Sequence, residues 1–112
     1  MNRKFNSGGG GRVDEFERAV VEAVDEAFLS LGDSVRRSLY WYLENHHGVA
    51  RDETPFKLDA FVKGLRSIFG EGANILVKMI AKRLYGKLGL PFEEKAGWGL
   101  IDYVEHARKN RK

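Results

Sequence analysis

The sequence predicts an all-α protein, a compact bundle of four main helices plus a C-terminal helix. Three observations predict it. Apolar residues recur at three- and four-residue spacing along most of the chain, the spacing that gathers them on one side of a helix. That periodicity restarts after each Gly or Pro stop, most clearly between Leu31 and Leu90. Finally, 112 residues of which 43% are hydrophobic suffice for one core and leave little for a second.

The chain opens with MNRKFNSGGGGR, polar and then glycine-rich, so residues 1–11 are read as a flexible arm and residues 12–112 as a single helical domain. In the first predicted helix Val13, Phe16, Val20, Val24, Ala27, Phe28 and Leu31 share a face, and Asp14, Glu15, Arg18, Glu22, Asp25 and Glu26 fall opposite. Gly32 ends it, having no Cβ to oppose the left-handed cap. Asp33 or Ser34 is expected to cap the second helix, whose inward stripe is Val35, Leu39, Tyr42, Leu43 and His46 and whose stop is Gly48. Residues 49–56 carry Arg51, Asp52, Glu53 and Pro55 and read as a loop. Thr54 before Pro55 resembles a capping residue followed by a first-turn proline. The third helix presents Leu58, Phe61, Val62, Leu65, Ile68 and Phe69 inward until Gly70 stops it.

The fourth helix, about Ala73 to Leu88, is the most apolar. Leu76, Val77, Ile80, Ala81, Leu84, Tyr85 and Leu88 cover a broad arc, as a central helix requires, while Ile75, Met79 and Gly86 form a second stripe flanked by Lys78, Lys82, Arg83 and Lys87. After Gly89 and Pro91 an extended link leads to the last helix, where Leu100, Ile101, Val104 and Ala107 share a face. Arg108, Lys109, Arg111 and Lys112 form a basic tail that complements the negative helix C-terminus.

The order of these signals, LGDSVRRSLYWYLE, a glycine-started link with Pro55, LRSIFGEGANILVKMIAKRLYGKLGL and a trailing IDYVEHAR, resembles a family of small archaeal proteins, the Nitrosopumilus output domain five family. The likeness runs from about Leu31 to Arg108. Its most specific pieces are Leu31-Gly32-Asp33-Ser34, Ile68-Phe69-Gly70 with Gly72-Ala73, and Leu84-Tyr85 leading to Leu88-Gly89-Leu90. The resemblance implies an all-helical archaeal domain, found alone or joined to signalling modules such as receiver domains, without an established activity. It brings no catalytic residues to carry over.

Composition narrows the function classes. With no cysteine, disulfides, thiolate zinc sites and cysteine nucleophiles are excluded, and a reduced, cytoplasmic location is the default expectation. Neither a signal-peptide core nor a run of about 18 apolar residues occurs, so no membrane association is expected. Absent glutamine and 31% charged residues lean toward a thermophile. The net charge of +3 conceals an asymmetry: residues 1–56 hold seven Lys/Arg and ten Asp/Glu, and residues 57–112 hold twelve and six. Such a dipole attracts nucleic acid to the basic half or brings copies together; solvated faces of opposite sign are the plainer explanation.

No reactive constellation accompanies this. His46 and His47 are adjacent and diverge by about 100° on a helix, so they cannot share an ion, and His46 reads as a hydrogen-bonded core histidine. The glycine clusters lack the following Gly-Lys-Ser/Thr of a phosphate loop. No cofactor, metal or enzymatic activity is expected. Tyr40 and Trp41 lie off the core stripe, one turn after Arg36 and Arg37, which is the composition of a binding hot spot unless a neighbouring helix covers them. The Ile75, Met79 and Gly86 seam suggests self-association, with Gly86 admitting a second backbone. The sequence thus points to an interaction or signal-output module that forms a homo-oligomer or meets a signalling partner. The alternative is a nucleic-acid-binding protein in which helix three, the Gly70–Gly72 turn and helix four form a helix-turn-helix with Lys78, Lys82, Arg83 and Lys87 on the phosphates.

Overall fold

Asp14 starts the fold: its side chain accepts a hydrogen bond from the Glu17 backbone N–H at 3.0 Å and so satisfies one of the free donors of the first turn. The computed structural model describes residues 14–111. Five helices follow in order, α1 (Glu15–Leu29), α2 (Asp33–His47), α3 (Leu58–Phe69), α4 (Ala73–Leu88) and α5 (Leu100–Asn110). No strand occurs among the described residues, and the fold is the expected all-α bundle of four long helices plus α5. The expected N-terminal arm lies outside the described residues, as do Val13 of the first helix's expected face and Lys112 of the expected basic tail. No helix among them is long and apolar enough to cross a membrane.

The inward arcs of α1 and α4 make the centre. Phe16, Val20, Val24 and Phe28 from α1 and Ile80, Ala81 and Leu84 from α4 are fully buried, and these two helices share the most extensive contact in the bundle. Leu39 and Leu43 of α2, Phe61 and Leu65 of α3, and Leu100, Val104 and Ala107 of α5 complete one cluster. Each long helix therefore buries an apolar stripe, the main source of stability for helices of this length.

Four local expectations are corrected. Asp33 and Ser34 are the first two residues of α2 and neither caps it; Gly32 occupies the cap position at φ 114°, and the Asp33 carboxylate is taken by Arg36 at 2.8 Å. Residues Arg51–Phe56 form a 3-10 helix, not a loop. There the Thr54 hydroxyl donates back to the Arg51 carbonyl at 3.0 Å instead of capping α3, and the Glu53 carboxylate accepts from the Ala50 N–H at 3.0 Å. On α5 the buried partner of Leu100, Val104 and Ala107 is Tyr103, and Ile101 faces outward. A tyrosine can fill that position because its hydroxyl accepts from the Lys95 N–H at 3.0 Å, while its carbonyl accepts from the Tyr85 hydroxyl at 2.8 Å. Finally, several residues expected inward near helix ends are exposed: Leu31, Val35, His46, Ile68 and Phe69.

The last helix is fastened to the first. Glu17 is 6% exposed and accepts from Arg108 at 2.9 Å, and the Arg108 and Arg111 guanidinium groups lie 4.5 and 5.1 Å from the centre of the Phe16 ring. Arg108 and Arg111 of the expected basic tail thus pack against α1.

Candidate functional site

The exposed ends of α2 and α3 meet on one face. The two helices pack tightly at Gly64, where a Cβ would stand 2.5 Å from Leu43 Cδ2 and 3.1 Å from the His47 ring. The Tyr42 and Ser67 hydroxyls share a hydrogen bond of 2.6 Å across the pair. Beyond this junction lies a groove of about 540 Å³, lined by Ser34, Val35, Ser38, Leu39, Trp41, Tyr42, Ile68 and Phe69. Apart from two serines and the tyrosine hydroxyl, that lining is hydrocarbon or aromatic. Trp41 is 61% exposed on its rim, with His46 edge-on at 5.7 Å. His46 is therefore a surface residue against Trp41 and Tyr42, not a core histidine.

Tyr40 parts from Trp41. Its ring packs 5.2 Å from that of Phe28, and its hydroxyl donates to Asp25 Oδ1 at 3.1 Å, so α1 covers it. The expectation of an outward pair holds for Trp41 alone. The same carboxylate oxygen accepts from Arg36 at 3.0 Å and Arg51 at 3.4 Å, joining α1, α2 and the 3-10 helix. Burial raises the Asp25 pKa, but the hydrogen bonds from Arg36 and Tyr40 and the charge of Arg51 outweigh it and hold the carboxyl below its usual range. Burial first, then the Asp25 charge, raises the Tyr40 phenol above its ordinary value, so Tyr40 stays a neutral donor.

On α4 the second stripe is narrow. Ile75 is 68% exposed, but Met79 is half-buried against the core, and Gly86 has open space where a Cβ would sit. Most of its flanking cations are engaged within the chain: Lys78 with Glu94 at 2.6 Å, Arg83 with Glu26 at 3.5 Å, and Lys87 with both Glu26 and Glu22. Lys82 alone of the four has no carboxylate partner among the described residues. The acidic face of α1 thus meets the basic face of α4 inside one molecule. A second cleft, of about 630 Å³, runs between α3, α4 and the link before α5, and its cations are likewise held: Lys78 by Glu94, Lys95 by Glu93 at 2.9 Å, and Arg66 donating to Asn74 at 3.2 Å. Among the described residues no three His, Asp or Glu side chains gather as a metal site.

Sequence periodicity missed this face because Val35, Ile68 and Phe69 obey the same 3.6-residue spacing as true core positions. The signal that separates them is location. Val35 sits in the first turn of α2 and Ile68 and Phe69 in the last turn of α3, where a helix outruns the neighbours that would cover it. No family model, no curated protein and no solved structure matches this chain.

Proposed function

We propose that this protein is a small, non-enzymatic protein–protein interaction module that self-associates through the α2/α3 face. The observation that carries the reading is the apolar groove beside a mostly exposed tryptophan. Apolar surface left in water forgoes about 25 cal/mol per Å² that covering it would recover, and this supports docking at the groove. A large aromatic beside Arg37 adds the composition found at interface hot spots.

The titratable groups support a binding rather than a catalytic role. Asp25, Glu17, Arg83 and Lys87 are spent on contacts between helices, and the groove itself offers no acid, base or nucleophile pair. The nucleic-acid alternative draws less support, since three of its four candidate contacts face carboxylates of the same chain. The α4 seam supplies one large exposed apolar side chain, Ile75, against the several of the α2/α3 face. The resemblance to the archaeal output-domain family supports a signal-output setting, and the absence of cysteine suits the reducing cytoplasm.

Ile68→Asp tests the reading. Ile68 is 39% exposed on the groove wall, so the charge is tolerated by the monomer and opposed by an interface. The variant is expected to keep its helical circular dichroism and to run as a single chain at concentrations where the wild type is a multiple. An unchanged multiple would remove the α2/α3 face from consideration.

A further inference from the structure

We infer that the occupant of the groove is a second copy of this chain, docked about a two-fold axis with the two α2 helices antiparallel and Arg37 of each copy against the partner's Glu44. This rests on the reading of the α2/α3 face as the surface of self-association and adds its geometry.

The inference follows from where side chains fall around α2. At about 100° per residue, Arg37 and Glu44 lie within about 20° of each other, on one flank of Trp41. Ser38, Tyr42 and Val35 lie on the other flank, toward Ile68 and Phe69. The outer surface of α2 is therefore three parallel strips: a charged edge, a projecting indole and an apolar groove. A two-fold axis across the helix near Trp41 reverses the helix direction but keeps each strip opposite its own copy. Groove then covers groove, and the two indoles meet at the axis. On the charged edge, reversal carries the cation of one copy to the anion of the other. A parallel two-fold arrangement instead sets the charged edge of each copy against the partner's apolar groove, which strands charges on hydrocarbon.

The charges are disposed for such use. Arg37 has a side chain 68% exposed and among the described residues reaches only Asp33, at 3.4 Å, an exposed pair of little worth that leaves the guanidinium available. Glu44 is exposed, with no ion-pair partner among the described residues. The small Ser34 and Ser38, on the strip beside Trp41, leave room for the partner's indole.

Reciprocal charge reversal reads out this geometry. Arg37→Glu sets acid against acid at both edges of the dimer, and Glu44→Arg sets base against base; each variant alone is expected to dissociate at least about tenfold more readily than the wild type. Mixed in equal amounts they form a dimer of one chain of each, with both pairs restored, visible by native mass spectrometry. A single chain carrying both reversals dimerises as the wild type does. If both single variants keep the wild-type mass while Ile68→Asp does not, the face stands and the antiparallel arrangement is wrong. Folded variants that stay monomeric when mixed overturn it equally, and a monomeric wild type overturns both the arrangement and the reading beneath it.

Discussion

Glu17 and Arg108 show how one residue pair can set a helix in place. The Glu17 carboxylate is nearly buried and Arg108 is about a third exposed, so the two are unequal on removal. Arg108→Met strands a buried charge and is expected to cost about 3 kcal/mol, whereas Glu17→Gln leaves a neutral amide beside a guanidinium that can turn to water, at about 1 kcal/mol. Urea unfolding of both variants checks the order. Asp25 supplies the pH dependence. Its pKa is lower folded than unfolded, so the stability it contributes is present above the unfolded value, about 3.9, and is lost as pH falls through the folded value. Asp25→Asn is expected to be less stable than the wild type at neutral pH, and the gap should close on acidification below about pH 4. A gap independent of pH would mean that Arg36, Tyr40 and Arg51 do not depend on that charge. None of these partnerships is legible in sequence, because Glu17 and Arg108 stand at opposite ends of the chain and Tyr40 counts as outward on a helical wheel until α1 is laid beside it.

At the scale of the element, two helical glycines that look alike in sequence do opposite things. Gly64 is where α2 and α3 touch, and Gly64→Ala pushes a methyl into the buried Leu43 side chain; a loss of about 1 to 3 kcal/mol is expected. A Cβ at Gly86 would meet no other group among the described residues, so Gly86→Ala should gain about 0.5 to 1 kcal/mol by restricting the unfolded chain. Thermal unfolding distinguishes these signs directly. The helices themselves were legible from spacing and glycine stops, and α4 emerges as the broad-faced central helix that its sequence announces. What spacing cannot tell is how far along each helix the neighbours extend. Leu39 and Val35 look equivalent as inward positions of α2, yet only Leu39 has neighbours that bury it. The candidate site is made of that difference, which is why Trp41 was legible and Val35, Ile68 and Phe69 were not.

For the molecule as a whole, the charge asymmetry between the two halves of the chain closes on itself. Glu22 and Glu26 of α1 meet Lys87 and Arg83 of α4, and Glu17 meets Arg108 of α5. The exposed pairs add little stability singly, but together they favour one register of α1 against its neighbours. Among the described residues the fold leaves apolar side chains exposed where α2 and α3 meet, as it does singly at Ile75 and Phe56, and the proposed self-association covers the first of these. The central measurement is the solution mass of the wild type by size-exclusion chromatography with light scattering, at two concentrations. A dimer of 12.7 kDa chains that dissociates on dilution and is abolished by Ile68→Asp is the expected result. A chain that remains monomeric at both concentrations would contradict self-association through the α2/α3 face.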